Sequence, residues 1–226
     1  MCGRFTQLHT WEELHAWFSL SGLARDLPAR YNVAPGQQVT ILRAGDDGLA
    51  ADATHWGLVP GWTRNPDRSA RPINARVETA ADKPSFRAAW RHRRCVVPAS
   101  GFYEWARTGR TRQPWYFSAG DDTPLALAGL WDRWASPSGE VLESFAILTM
   151  PANDCVGQVH HRMPVILERD RVRAWLGDRA LPRDGYPSGR MRCRAVGTRV
   201  NSARHDDPDC LEPAGEPGLL ALAGTP

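Results

Sequence analysis

The second residue carries the most distinctive chemistry in this chain. Methionine ahead of a small residue such as Cys2 is commonly removed, which would leave an α-amine and a thiol on adjacent carbons. Such a 1,2-aminothiol condenses with an aldehyde. The amine forms the imine, and the neighbouring thiol then closes a five-membered thiazolidine in a step made fast by proximity. The intrinsic pKa values, about 8 for the amine and about 8.5 for the thiol, leave part of each group deprotonated near neutrality. Lys83 is the single lysine among 28 basic residues, so only one side-chain amine competes for Schiff-base chemistry. The bland readings are an arginine bias from a GC-rich coding sequence and a Cys2 that is only a terminal residue.

The other cysteines are Cys95, Cys155, Cys193 and Cys210, and no two of the five share C-x-x-C spacing. Their odd number and the absence of an export signal predict reduced thiols and speak against a disulfide framework or a zinc site. Neither a cofactor nor a metal is expected. A net charge of +3 and a pI near 8.7 are compatible with nucleic-acid binding without demanding it. With 226 residues, 42% of them hydrophobic, the chain is expected to form one globular domain with a real core. No apolar run approaches the roughly 18 residues that span a bilayer, and MCGRFTQLHT is not a secretory signal. A cytoplasmic protein, nucleoid-associated when bound to DNA, is expected, and a monomer is expected as well.

The elements that must hold Cys2 are partly legible. Thr10-Trp-Glu-Glu13 has capping-box spacing and predicts a helix over about 10–19. Tyr31–Gly36 reads as an extended segment and turn. Val39–Leu42 and Thr54–Leu58 read as strands joined around Asp46-Asp-Gly48. Residues 60–72, rich in Pro, Arg and Gly, read as a long loop of the kind that usually has a function. A helix is expected over roughly 84–92. Strands are expected at Arg94–Val97 and Phe102–Trp105, broken at Pro98-Ala-Ser-Gly101. Further strands are expected at Trp115–Ser118, Leu125–Trp131, Ser144–Met150 and Pro164–Leu167. A short helix after Pro151 and another over Arg169–Leu176 complete the pattern. The class is α+β, with a mostly antiparallel sheet or barrel-like core and flanking helices. The domain is expected over 1–204, with 205–226 as a loosely ordered tail.

Six segments occur in a telling order: MCGRF at 1–5, YNVAPGQ at 31–37, WGLVPGW at 56–62, INARVET at 73–79, RRCVVPASGFYEW at 93–105 and HHRMPVIL at 160–167. Together they resemble the SOS response-associated peptidase family over about residues 1–200. The resemblance implies a protein that senses abasic sites in single-stranded DNA and crosslinks to them through Cys2 as a thiazolidine, shielding the lesion in the damage response. It places Cys2, Asn74, Glu104 and His160 around the reacting sugar.

The implied roles are chemically coherent. His160 has an unperturbed pKa near 6.5 and can protonate the sugar ring oxygen as the hemiacetal opens. Glu104 can orient the α-amine and take its proton. Asn74 can hold the amine or a sugar hydroxyl without adding charge. Arg76 and Arg162 can grip flanking phosphates bidentately. Arg4, Asn32, Pro35 and Thr149 are placed near the site by the same resemblance, and His161 is left without a role. Each has a plain alternative: Glu104 as a solvent-facing strand residue, His160 and His161 as a loop pair, Asn74 and Arg76 as a turn with a salt bridge.

The 60–72 loop interleaves Trp62 with Arg64, Arg68 and Arg71, which suits stacked bases and phosphates of a single strand. Trp62 is expected to wedge against bases, whereas Trp56 is expected in the core. Two other functions compete. A peptidase could use Cys2, His160 and Glu104 as nucleophile and base. A reader of modified bases in duplex DNA would need no aminothiol. An N-terminal-nucleophile amidotransferase also begins Met-Cys-Gly, but the N-G-[DE] motif of that class is missing here.

Overall fold

The computed structural model describes residues 2–109, 111–177 and 185–215. The chain opens with β1 (Phe5–Gln7), α1 (Trp11–Phe18) and β2 (Arg30–Val33). Helix α1 begins where the capping box predicts. Thr10 Oγ1 accepts from Glu13 N at 3.3 Å, and Glu13 Oε2 accepts from Thr10 N at 2.8 Å. It buries Trp11, Leu14 and Phe18, spaced at helical intervals. The predicted hairpin is β3 (Gln38–Gly45) with β4 (Gly48–Trp56), closed by the two-residue turn Asp46-Asp47. Gly48 leaves that turn at φ +140°, a conformation L side chains rarely adopt.

After the 60–72 loop, which holds only a short 3-10 turn at Pro66–Arg68, come β5 (Asn74–Arg76), α2 (Val77–Ala80) and α3 (Arg87–His92). Then follow β6 (Arg94–Ala99), β7 (Gly101–Thr108), β8 (Thr111–Ala119), β9 (Leu125–Ala135), β10 (Val141–Pro151), α4 (Asp154–Gly157), β11 (Arg162–Pro164), β12 (Ile166–Leu167), α5 (Arg169–Leu176) and β13 (Met191–Ala195). The expected break at 98–101 shrinks to Ser100, and Pro98 lies within β6. Proline is tolerated there because the β3–β6 pairing is limited to Leu42 and Val96, leaving no ladder bond for the missing N–H to break.

Strands β10, β4, β3, β6 and β9 pair in that order, and β9 pairs back onto β10, so the five close into a ring. Most pairings are antiparallel; β4 and β5 run parallel to β10. A second sheet has the order β13-β8-β7-β1-β2. Because only Ser100 separates β6 from β7, the chain passes directly from ring to sheet. The fold is α+β, mostly antiparallel and barrel-like. Phe5, Trp56, Phe102, Phe117 and Phe145 fill the core that also contains Cys2. Burying such side chains is worth about 1.5–3 kcal/mol each. A second cluster, including Trp11, Phe18, Leu42 and Trp175, lies beneath α1, α3 and α5. No described helix is long and apolar enough to cross a membrane.

The tail expected from residue 205 is packed at its start. Asp206 Oδ1 accepts from the backbone N–H groups of Tyr31 and Asn32 at 2.6 and 2.8 Å, and Cys210 is fully buried. Residues 216–226 lie outside the described residues.

Candidate active site

The short strand β1 determines where Cys2 lies. Phe5 pairs with Phe102, and Tyr103 N–H donates to Arg4 O at 3.0 Å, so the N-terminal segment runs along β7. Cys2 is fully buried, and Asn74 Nδ2 donates to its carbonyl at 2.8 Å. Asn74 reaches it because β5 lies parallel on β10, with Asn74 opposite Ile147. Asn74 Oδ1 is buried with no protein partner among the described residues. It is an acceptor in place for a donor such as an amine or hydroxyl. Burial pushes the Cys2 thiol well above its ordinary pKa, and the nearby Glu104 charge adds to the effect.

Glu104 is 3% exposed, which removes the solvent-facing alternative. The simple alternation argument fails here because β7 is covered on both faces: Tyr103 and Phe102 are as buried as Glu104. Burial raises the Glu104 pKa, and His160 partly offsets the rise. The two side chains face each other, His160 Nδ1 lying 3.9 Å from Glu104 Oε1. The turn after α4 presents the imidazole, with His160 N–H donating to Val156 O at 2.9 Å. His160 Nδ1 is 3.0 Å from both N and O of Arg162. A neutral ring can accept from that N–H, and a ring protonated at Nδ1 can donate to the carbonyl, with the Glu104 carboxylate near enough to favour the charge. Both states needed by a proton shuttle therefore have partners. His161 is exposed, its ring stacked on His160 with centroids 4.5 Å apart.

The expected DNA contacts divide into two groups. Trp62, 64% exposed, and the exposed Pro35 and Arg76 face solvent. The loop bearing Trp62 is pinned at its base by Leu58 N–H to Pro72 O and by Trp134 Nε1 to Thr63 O. The remaining residues are engaged inside the protein. Arg4 Nη1 donates to Asn32 Oδ1 and to Val200 O at 2.8 and 2.7 Å. Asn32 is fully buried, and its Nδ2 donates to the carbonyls of Val200, Ser202 and His205. This pair ties β2 to the segment after β13. Arg162 forms a bidentate ion pair with Glu78, at 2.5 and 2.9 Å, and also donates to Thr149 O at 2.6 Å. Thr149 is fully buried beneath it. Arg162, expected on a phosphate, thus has both terminal nitrogens committed to protein acceptors.

Glu78 is the site residue that sequence reasoning missed. It stands four positions after Asn74 in INARVET, but 84 residues before its partner, and no local spacing announces that pair. Among the described residues, no group of three or more His, Cys, Asp or Glu could hold a metal. What the site offers is a buried thiol at a held N-terminal residue, a carboxyl and imidazole facing each other 3.9 Å apart, and an amide with an open acceptor.

The sequence profile of the SOS response associated peptidase (SRAP) family matches residues 1–203. "Abasic site processing protein YoqW" of Bacillus subtilis (strain 168) is 32% identical over 223 residues, covering 94% of this chain and 99% of its own. "Abasic site processing protein YedK" of Escherichia coli (strain K12) is 30% identical, covering 94% of this chain and 100% of its own. The crystal structure of a Bacteroides thetaiotaomicron protein superposes with a TM-score of 0.83 at 25% identity, covering 94% of this chain and 100% of that one.

Proposed function

Because the chain belongs to the SOS response-associated peptidase family, we propose that it processes abasic sites in DNA by condensing Cys2 with the sugar aldehyde. Removal of Met1 frees the α-amine of Cys2. His160 gives a proton to the ring oxygen of the hemiacetal, opening it to the aldehyde. The amine attacks the carbonyl carbon while Glu104 takes the proton it sheds, and loss of one water gives the imine. The Cys2 sulfur then adds to the imine carbon, and its proton ends on the ring nitrogen. The product is a thiazolidine, one water lighter than its parts. With the aldehyde gone, β-elimination and strand breakage are blocked.

The observation that carries this reading is the fixing of Cys2 by Asn74 beside the Glu104–His160 pair. The raised thiol pKa favours amine attack first, since the neutral thiol does not compete for the aldehyde. It also counts against the peptidase reading, which needs a thiolate nucleophile near neutrality. Single-stranded DNA is the substrate that fits the exposed Trp62, the arginines of its loop and Arg76. Arg4, Asn32, Thr149 and Arg162 serve this site by holding its walls.

A Cys2→Ser variant tests the order of steps on an oligonucleotide with one abasic site. The expected result is an adduct that survives a denaturing gel only after borohydride reduction, whereas the wild-type adduct survives without it. Equal unreduced adducts from both proteins would remove the thiol from the mechanism.

A further inference from the structure

We infer that Glu78 is a positioning residue for His160, acting through the Arg162 clamp. This rests on the proposed crosslinking chemistry and adds to it a residue that no expectation assigned. Helix α2 carries Glu78 two positions after the exposed Arg76, at the end of the segment that also supplies Asn74. Its carboxylate takes both terminal nitrogens of Arg162. Arg162 Nη2 reaches Thr149 O as well, so the guanidinium is fixed from two sides. The backbone N–H of the same Arg162 donates to His160 Nδ1. Hydrogen bonds at the two ends of Arg162 therefore link Glu78, through the residue's own side chain, to His160 Nδ1, the ring nitrogen that also faces Glu104.

The clamp has little slack. The Arg162 side chain is nine-tenths buried, and its Nε has no protein partner among the described residues. The guanidinium relies on Glu78 for its counter-charge. Without it, a buried cation lacks compensation and the chain at Arg162 is free to shift, which moves the N–H that orients the ring. Glu78 is itself partly exposed and touches none of the reacting atoms, so its influence on them passes through His160. The same segment thereby sets two walls of the site: Asn74 holds Cys2, and Glu78 holds the histidine's support.

The test compares wild type, Glu78→Gln and Glu78→Asp in single-turnover crosslinking with protein in excess over an abasic oligonucleotide. The ring nitrogens of His160 are read in parallel by long-range proton–nitrogen NMR on the free proteins. Glu78→Gln is expected to lower the limiting rate about ten- to a hundredfold, with half-saturation nearly unchanged, because misplacing a reacting group by about 1 Å costs on that order. The His160 ring signals move in the same variant, and Glu78→Asp recovers part of both effects. Unmoved ring signals would overturn the inference, as would a change confined to half-saturation, which would make Glu78 part of DNA binding. Faster crosslinking in Glu78→Gln would also overturn it, by showing that Glu78 competes with a phosphate for Arg162. If wild type forms no adduct, the crosslinking reading fails, whereas the ring signals still decide the positioning role.

Discussion

Replacing Asn74 with Ala removes one hydrogen bond, and the structure allows its effect to be worked out. Nδ2 donates to the carbonyl of Cys2 at 2.8 Å, and Cys2 exposes no surface through which water could take over. A net hydrogen bond is worth about 0.5–1.5 kcal/mol, and a buried acceptor left unpaired costs about 1–3 kcal/mol. The stability loss should therefore be about 1–3 kcal/mol, and the melting temperature should fall by roughly 2–4 °C for each kcal/mol. The same bond fixes the residue whose amine and thiol must meet one carbon. If most of that cost falls on the geometry of the reacting state, the crosslinking rate falls about five- to a hundredfold, since about 1.4 kcal/mol is tenfold. The assay is single-turnover adduct formation on a denaturing gel at a temperature where the variant is folded. Asn74→Asp is the stricter companion: it is isosteric, but an ionised carboxylate would face the Cys2 carbonyl, acceptor against acceptor, and should be at least as slow. Crosslinking by Asn74→Ala within twofold of wild type would refute the claim that Asn74 holds Cys2 for reaction.

Glu104→Gln should abolish efficient crosslinking yet stabilise the fold at neutral pH. Burial raises the carboxyl pKa above its ordinary 4.5, so folding favours the protonated acid, and the ionised form penalises the folded state as pH rises through the folded pKa. The melting-temperature gain of the variant should thus be full above that pKa and vanish below about 4.5; a gain that grows on acidification would show the reverse shift. Thr10→Ala should cost about 1 kcal/mol, read as a drop of roughly 2–4 °C, because it removes one half of a formed capping box. Crosslinking should be untouched, since α1 packs against the outer core cluster.

What the sequence disclosed depended on how local the signal was. The capping box, the hairpin around Asp46-Asp47 and helix α5 each rest on residues a few positions apart, and all three formed where expected. Strands β1 and β5, three residues each, are too short to show a period, although they place Cys2 and Asn74. The alternation rule misleads at Glu104 because both faces of β7 are covered. Arg162 shows the further limit. Its type and motif suggested a phosphate, but its partner Glu78 is brought to it by the parallel pairing of β5 with β10, a contact without local trace. Arg4 and Asn32 likewise meet carbonyls from Val200 to His205, at the far end of the chain. That lasso also explains why residues 205–215, polar and rich in Pro and Asp, pack where composition pointed to a tail.

The central claim is that Cys2 gives up both its amine and its thiol to one carbon of the abasic sugar. The most direct measurement is to form the adduct without any reductant, unfold it, alkylate it with iodoacetamide and locate the labels by mass spectrometry. The chain has five cysteines. The predicted result is an oligonucleotide on Cys2, one water lighter than the sum, with labels on Cys95, Cys155, Cys193 and Cys210 and none on Cys2. An adduct in which Cys2 still takes the label, or one located on Lys83, would contradict the claim.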